Sequence, residues 1–333
     1  MKLGANPLAD GLPEPWAAEW GWDHFGVFVG FGIGGVVQRM RWVPPGTFLM
    51  GSPEGERGRY DYEGPQHKVE FSQGFWLGDT PVTQALWEVV MGSNPSRFKG
   101  PDRPVENVSW NDCRDFLGRL NALASELEAR LPSEAEWEHA CRAGTEAATW
   151  VGDLEILGEN NAPVLDPIAW YGGNSGQEFE LRDGYDSSGW PNKQYPHKQA
   201  GTHPVARKPP NPLGLYDMLG NVYEWCLDAW DLEGYAPDDV TDPPAGRTGS
   251  VRVTRGGSWY SFARDVRAAF RYALDPSHRH DYLGFRLARG QEPGLGAEPP
   301  GPRTGRKTRV AGRGPGPAPP ARDVPPTGSG RRK

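Results

Sequence analysis

The stretch HPVARKPPNPLGLYDMLGNVYEWC, His203 to Cys226, decides how the rest of the chain is read. Pro204, Pro209, Pro210 and Pro212 remove backbone donors and hold φ near one value, while Gly214 and Gly220 admit backbone that other residues avoid. No strong helix signal appears in this stretch, and VYEWCLD, Val222–Asp228, reads as a core strand. The same texture runs from Thr145 to Arg289: rich in Gly, Asn, Asp, Pro and aromatic residues, with no strong helix. Its regular parts are short predicted strands, HPVAR (203–207), VYEWCLD, VRVTRGGSW (251–259) and YLGFRLA (282–288).

Upstream the signals are conventional. Met40–Trp42 and Phe48–Met50 read as strands around the turn Val43-Pro44-Pro45-Gly46, and HKVEFSQGFWLG (67–78) as a further pair turning at Ser72-Gln73-Gly74. Three helices follow. Thr83 caps the first, with Leu86, Trp87 and Val90 on one face; Ser109 caps the second, through Phe116, Leu117, Leu120 and Leu123. Ser133-Glu134-Ala135-Glu136 is a capping box opening the third, which ends before Gly144. The expected fold class is α+β: few helices on twisted antiparallel strands, and much ordered coil.

Three regions are expected. Residues 1–38 form a lead segment with near-period-two apolar residues, packing on the main domain; residues 39–290 form that domain; residues 291–333, Pro/Gly/Arg-rich, cannot bury enough apolar surface to order themselves. The formal net charge of −7 is uneven, since nine Lys/Arg face three Asp/Glu after Gly290 and leave the body at −13. An acidic body argues against nucleic acid as the folded domain's partner. No run approaches 18 apolar residues and the start lacks a basic and then apolar leader, so the expectation is a cytoplasmic protein with no membrane span. Cys113, Cys141 and Cys226 form no CxxC or metal-type spacing and read as buried small hydrophobes.

Six phrases stand in order: PPGTFLMGS, PVTQALWEVVMG, PVENVSWNDC, RLPSEAEWEHACRAG, the opening stretch, and RVTRGGSW with LGFRLAR. Together they resemble the formylglycine-generating enzyme (sulfatase-modifying factor) family over residues 40–289. The resemblance implies a C-type-lectin-like fold, coil-rich, with structural calcium. Calcium takes hard oxygen donors; the family's positions fall on the carboxylates of Asp217 and Glu224 and the carbonyls of Gly220 and Val222. A second family site lies where this chain carries an apparent insertion, Gln177–Gln199, and its ligands are not assigned. Catalytic members hold copper(I) on two cysteines after the GGS(Y/W) frame. Those positions are Ser261 and Val266, and neither supplies the thiolate that soft copper(I) needs, so no copper is expected. The related sulfoxide synthases carry a His-x₃-His-x-Glu iron site, a spacing absent here; His278-x-His280 has no evident third ligand. No Ser-His-Asp signature, P-loop or dinucleotide fingerprint appears.

Segment 255–289 separates into a frame and an interleaved set. Tyr260, Ser261, Phe262, Asp265, Tyr272, Leu274, His278, His280, Asp281 and Tyr282 resemble a paratope, with rigid aromatic area and small polar adapters. Residues 251–290 contain no Lys, Glu, Gln, Met or Cys. The pattern resembles the variable region of diversity-generating retroelement target proteins, where adenine-directed rewriting of AAC codons yields this set of residue types. The resulting expectation is a non-catalytic, monomeric ligand-binding protein whose partner is a protein or other macromolecule. Arg264, Arg267 and Asp265 would set the polarity of the face, and Phe270 would belong to the core. The alternative is a formylglycine-generating or related non-heme metal oxidoreductase acting on a thiol.

Overall fold

A computed structural model describes residues 14–231, 234–246 and 248–290. The expected tail, 291–333, lies outside the described residues. Strands β1 (Glu19–Asp23), β2 (Gly26–Ile33), β3 (Val36–Val43), β6 (Phe75–Gly78) and β14 (Ala288–Arg289) form one antiparallel sheet in that order. The boundary expected at residue 38 thus falls inside β3, and the lead residues are the outer strands of the main sheet. Their register is held by hydrogen-bonded pairs from Phe28↔Arg41 to Ile33↔Val36, and by ion pairs of Arg39 with Glu19 at 2.9 Å and Arg41 with Asp23 at 2.8 Å.

A second sheet orders β10 (Val240–Thr241), β5 (His67–Phe71) and β4 (Gly46–Met50); a third orders β12 (Arg271–Leu274), β11 (Arg252–Arg255), β9 (Tyr223–Ala229) and β13 (Leu283–Gly284). Strands β7 (Tyr185–Asp186) and β8 (Gln199–Ala200) pair within the insertion. The described residues hold three α-helices: α1 (Gln84–Met91), α2 (Trp110–Leu123) and α3 (Glu134–Arg142). Each starts at its expected cap: Thr83 accepts from Leu86 N–H, Ser109 from Asp112 N–H and Ser133 from Glu136 N–H. Glu136 also accepts from Ser133 N–H at 2.8 Å, which closes the capping box. Leu86, Trp87, Phe116, Leu117 and Leu120 are buried, but Leu123, at the end of α2, is 60% exposed.

Two further strand expectations change. His203–Arg207 is a turn: Ala206 takes φ +59° and donates to Asp217 Oδ2, while Val205 donates to Asp102 O. His203 N–H in turn donates to Asn221 Oδ1, so these donors serve loops and not a ladder. YLGFRLA divides between β13 and β14, which sit in different sheets, with Arg286 buried between them.

The loops are tied to the regular elements by buried ion pairs. Arg142 meets Glu138 on α3 at 2.9 Å, and Arg255 also bonds Glu138. Arg271 takes Glu134 through two bonds of 2.7 and 2.6 Å, and Arg267 takes Glu63 at 2.9 and 2.6 Å. Arg286 grips Glu224 at 2.6 and 2.7 Å. Such bidentate pairs are geometrically specific, and removing one partner strands a buried charge. Glu138→Ala, which removes the carboxylate of Arg142 and the closer of the two carboxylates of Arg255, should destabilise the fold by about 3–5 kcal/mol in urea unfolding, whereas Ser133→Ala should cost about 1 kcal/mol.

Candidate ligand-binding site

Strand β11 runs into Gly256 (φ +95°) and Gly257 (φ +73°). A Cβ on Gly256 would lie 2.9 Å from Met218 O, and one on Gly257 2.9 Å from Asp265 O, so the chain can reverse here only with glycine. The reversal buries Trp259, whose indole N–H donates to Asp281 O at 2.9 Å, and leaves Tyr260 half-buried. Ser261 is buried. It accepts from Ser258 N–H at 2.9 Å and donates to the Tyr223 hydroxyl at 3.1 Å. Val266 is buried in an apolar cluster with Trp137, Val253 and Ala263. The pair therefore offers one bound hydroxyl and two methyl groups, with no soft ligand for copper(I).

A 3₁₀ turn, Ala263–Asp265, follows. Asp265 accepts from the Tyr60 hydroxyl at 3.0 Å. Its carboxyl is pushed up to about 6, first by burial, against the lowering pull of the Tyr60 bond and of Arg264 and Arg267. Arg264 lies over the Tyr60 ring at 3.9 Å and donates to Gly58 O at 3.1 Å. Arg267 does not set the polarity of any surface. It is fully buried on Glu56 and Glu63, because an unpaired guanidinium could not be taken out of water there. Phe270 is core, as expected.

On β12 and the loop beyond it, Tyr272, Leu274, His278, His280 and Tyr282 are half-buried. His280 stacks on Tyr282 at 3.9 Å, and His278 stacks on His280 at 6.1 Å, so the His-x-His pair extends an aromatic column. Among the described residues no group of three or more His, Cys, Asp or Glu could hold a metal ion. Asp281 turns inward, with Oδ2 on Arg97 at 2.6 Å and Oδ1 2.8 Å from His280 Nδ1. Tyr260 joins the column through Tyr282 at 6.1 Å, and then Tyr185 at 5.3 Å and Trp190 at 5.1 Å. Tyr185 and Trp190 come from the insertion and were not anticipated; their aromatic character inside a polar segment was the available signal. A cavity of about 680 Å³ opens on the insertion itself, against Phe179, Asp186 and His197–Gln199.

Eight of the ten interleaved residues are thus half-buried and only Ser261 and Asp281 are buried; of the frame, Arg255–Trp259, Ala263, Val266, Arg267, Arg271 and Leu283–Arg286 are buried, Arg264 and Pro276 are half-buried and Asp275 is exposed. The three cysteines are buried too; burial pushes Cys141 up to about 12 and raises Cys113 and Cys226.

The turn that carries the four calcium positions is left-handed at Asp217 (φ +52°), Gly220 (φ +77°) and Asn221 (φ +59°). Asp217 is buried on two neutral donors, Ala206 N–H at 2.8 Å and Asn221 Nδ2 at 3.3 Å. Glu224 does not join it. Arg286 holds both its oxygens, and Trp137 Nε1 adds a third bond at 2.7 Å. Of the two carboxylates, Asp217 has only neutral hydrogen-bond partners, whereas Glu224 is already neutralised by Arg286.

The family described as sulfatase-modifying factor enzyme 1-like domain matches residues 35–291, and the chain belongs to it. The formylglycine-generating enzyme of Thermomonospora curvata is 34% identical over 215 residues, 62% of each chain, and that of Bos taurus is 32% identical over 67% of this chain and 52% of its own. The chain thus spans only about half to two thirds of these relatives. Treponema denticola variable protein 1 superposes with a TM-score of 0.63 at 30% identity, over 78% of this chain and 98% of its own. PvdO from Pseudomonas aeruginosa superposes with a TM-score of 0.59 at 29% identity, over 75% and 94%. The lectin-like α+β scaffold is that of this family.

Frame and interleaved residues should separate in unfolding experiments. Trp259→Ala should cost about 3–5 kcal/mol, and His278→Ala or Leu274→Ala within about 1 kcal/mol, by urea titration.

Proposed function

We propose that this member of the family is a non-catalytic ligand-binding protein, the variable protein of a diversity-generating retroelement. The observation that carries the reading is the segregation within 255–289: most of the frame is buried, eight of the ten interleaved residues are half-buried, and Tyr260, Tyr272, His278, His280 and Tyr282 among them are linked by ring contacts, Tyr272 through Tyr223. Substitution at such positions leaves the packing beneath them in place, which is what a diversified segment requires. The similarity to a protein named variable protein 1, along 98% of that chain, supports it. The ligand is a protein or other macromolecule engaged by rigid aromatic area, with loops on a fixed scaffold as its carrier.

A second reading has its own support. Relatives 32–34% identical are formylglycine-generating enzymes. In that reading the chain oxidises a thiol substrate. Ser261 and Val266 weigh against it, since a hydroxyl and two methyls cannot take the place of two thiolates.

Calcium belongs to the same proposal as a structural ion. Asp217 and the carbonyls of Gly220 and Val222 would hold it, and it would neutralise a buried carboxylate that has only neutral partners. Added calcium should then raise the unfolding midpoint and a chelator should lower it, and Asp217→Asn should abolish both shifts.

The purified chain should show no stoichiometric copper(I) binding in competition with a chelator and no oxygen-dependent oxidation of a cysteine peptide. Ser261→Cys with Val266→Cys should gain copper(I) binding. Thiol oxidation by the unsubstituted chain would overturn the non-catalytic reading. The retroelement reading requires a neighbouring reverse-transcriptase gene and a near-copy of codons 250–290 with AAC at the interleaved positions; sequencing the locus decides it.

A further inference from the structure

The half-exposed face contains a corner whose chemistry is more specific than the face as a whole. Tyr223, at its floor, lies 6.0 Å from Tyr272 at an interplanar angle of 36°, and 5.9 Å from Tyr282 at 70°. The two outer rings thus lean from one buried ring at different inclinations. Burial first, and then the charge of nearby Asp265, raises the phenols of Tyr223 and Tyr272, and the Tyr60 hydroxyl fixes Asp265 Oδ1 at 3.0 Å.

Asp265 is anomalous among the carboxylates of this wall. Glu63 is paired with Arg267, and Asp281 with Arg97. Asp265 has a neutral phenol and, among the described residues, no ion pair. The nearest candidate, Arg264, is held elsewhere, on the carbonyls of Gly58 and Arg59 and across the face of Tyr60. That cation–π contact at 3.9 Å also shows how a cation sits on a tyrosine of this wall. The corner therefore joins aromatic faces, which attract a cation through the ring quadrupole, to a carboxylate lacking a counter-charge. The chain before Gly290 carries a formal −13, which favours approach of a cationic group.

We propose that Tyr223, Tyr272, Tyr282 and Asp265 form a cage for the ammonium group of a lysine side chain on a polypeptide partner. This rests on the ligand-binding reading above and names the chemistry its centre selects. The lysine stem lies along the tyrosine faces and the ammonium donates to Asp265 Oδ2, while Tyr60 keeps Oδ1 in place. An ammonium fits better than a guanidinium, because a carboxylate with one oxygen already held by Tyr60 has a single oxygen left and cannot accept a bidentate fork.

The groups facing Asp265 are the Tyr60 hydroxyl, Arg264, Arg267 and Glu63, with Tyr223 and Tyr272 behind them. Of these, Asp265 is the one that burial carries to about 6. A cation is bound by the ionised form, so binding should be full above that value and weaken as the pH falls through it.

The test titrates the full chain with Nα-acetyl-lysine-N-methylamide, its norleucine counterpart and its arginine counterpart, following chemical shifts of the ligand. Saturable lysine binding is expected, with none for norleucine. Asp265→Asn, which keeps an acceptor for Tyr60, should weaken binding about tenfold or more, as losing a charged partner does; Tyr282→Ala should weaken it as well. An unchanged unfolding midpoint in Asp265→Asn shows that the loss is not misfolding. Equal binding of norleucine, tighter binding of arginine, undiminished binding by folded Asp265→Asn, or no saturable lysine binding would each overturn the cage. These outcomes are independent of the locus sequence, so the cage can fail while the variable-protein reading stands, and the reverse.

Discussion

The buried arginine–carboxylate pairs are the constraint on which this fold depends. Arg255, Arg267, Arg271 and Arg286 are all buried in the last part of the domain, and each finds a glutamate supplied by an earlier segment. A coil-rich chain has few ladder hydrogen bonds with which to hold its loops. The guanidinium compensates because it has five donors: Arg286 also bonds Gly78 O and Tyr216 O, and Arg142 bonds Gly51 O. Such pairs add little net stability over apolar packing, but they penalise every arrangement in which a partner is missing. They select one path for the loops.

That selection explains how the segment after β11 can carry a half-exposed aromatic face. Its backbone is set from beneath, by Gly256 and Gly257 at the reversal, by Trp259 and Phe270 in the core, and by Arg267 and Arg271 on their carboxylates. The residues between these anchors contribute area to the surface and little to the path. Here Ser261 is drawn into a hydroxyl chain with Ser258 and Tyr223, and Val266 into the core. The scaffold is retained and its inner wall is packed.

Much of this was legible in the sequence where the cause is local. The caps of α1, α2 and α3 follow from Thr83, Ser109 and Ser133, because a capping hydroxyl acts within three residues. The separation of frame from interleaved residues was legible too, since aromatic and small polar residues alternate with glycine, arginine and alanine. Where a residue's role depends on a distant partner, the reading failed. Arg267 looked like a surface charge; Glu56 and Glu63, more than 200 positions away, bury it. Glu224 looked like a calcium ligand until Arg286 claimed it, and His203–Arg207 looked like a strand until the loop carbonyls and Asp217 took its donors.

By itself, then, the sequence determined the family scaffold, the helix starts, and the presence of serine and valine rather than cysteine at 261 and 266, since each of these is written in residue type at fixed spacing. Only the tertiary structure decided which side chains reach the surface. It joined Tyr185 and Trp190 of the insertion to Tyr260, and set Tyr60 on Asp265 across a separation of 205 residues. The physical reason is that burial and charge neutralisation are properties of neighbours in space, and in a coil-rich fold those neighbours come from segments that no periodicity connects.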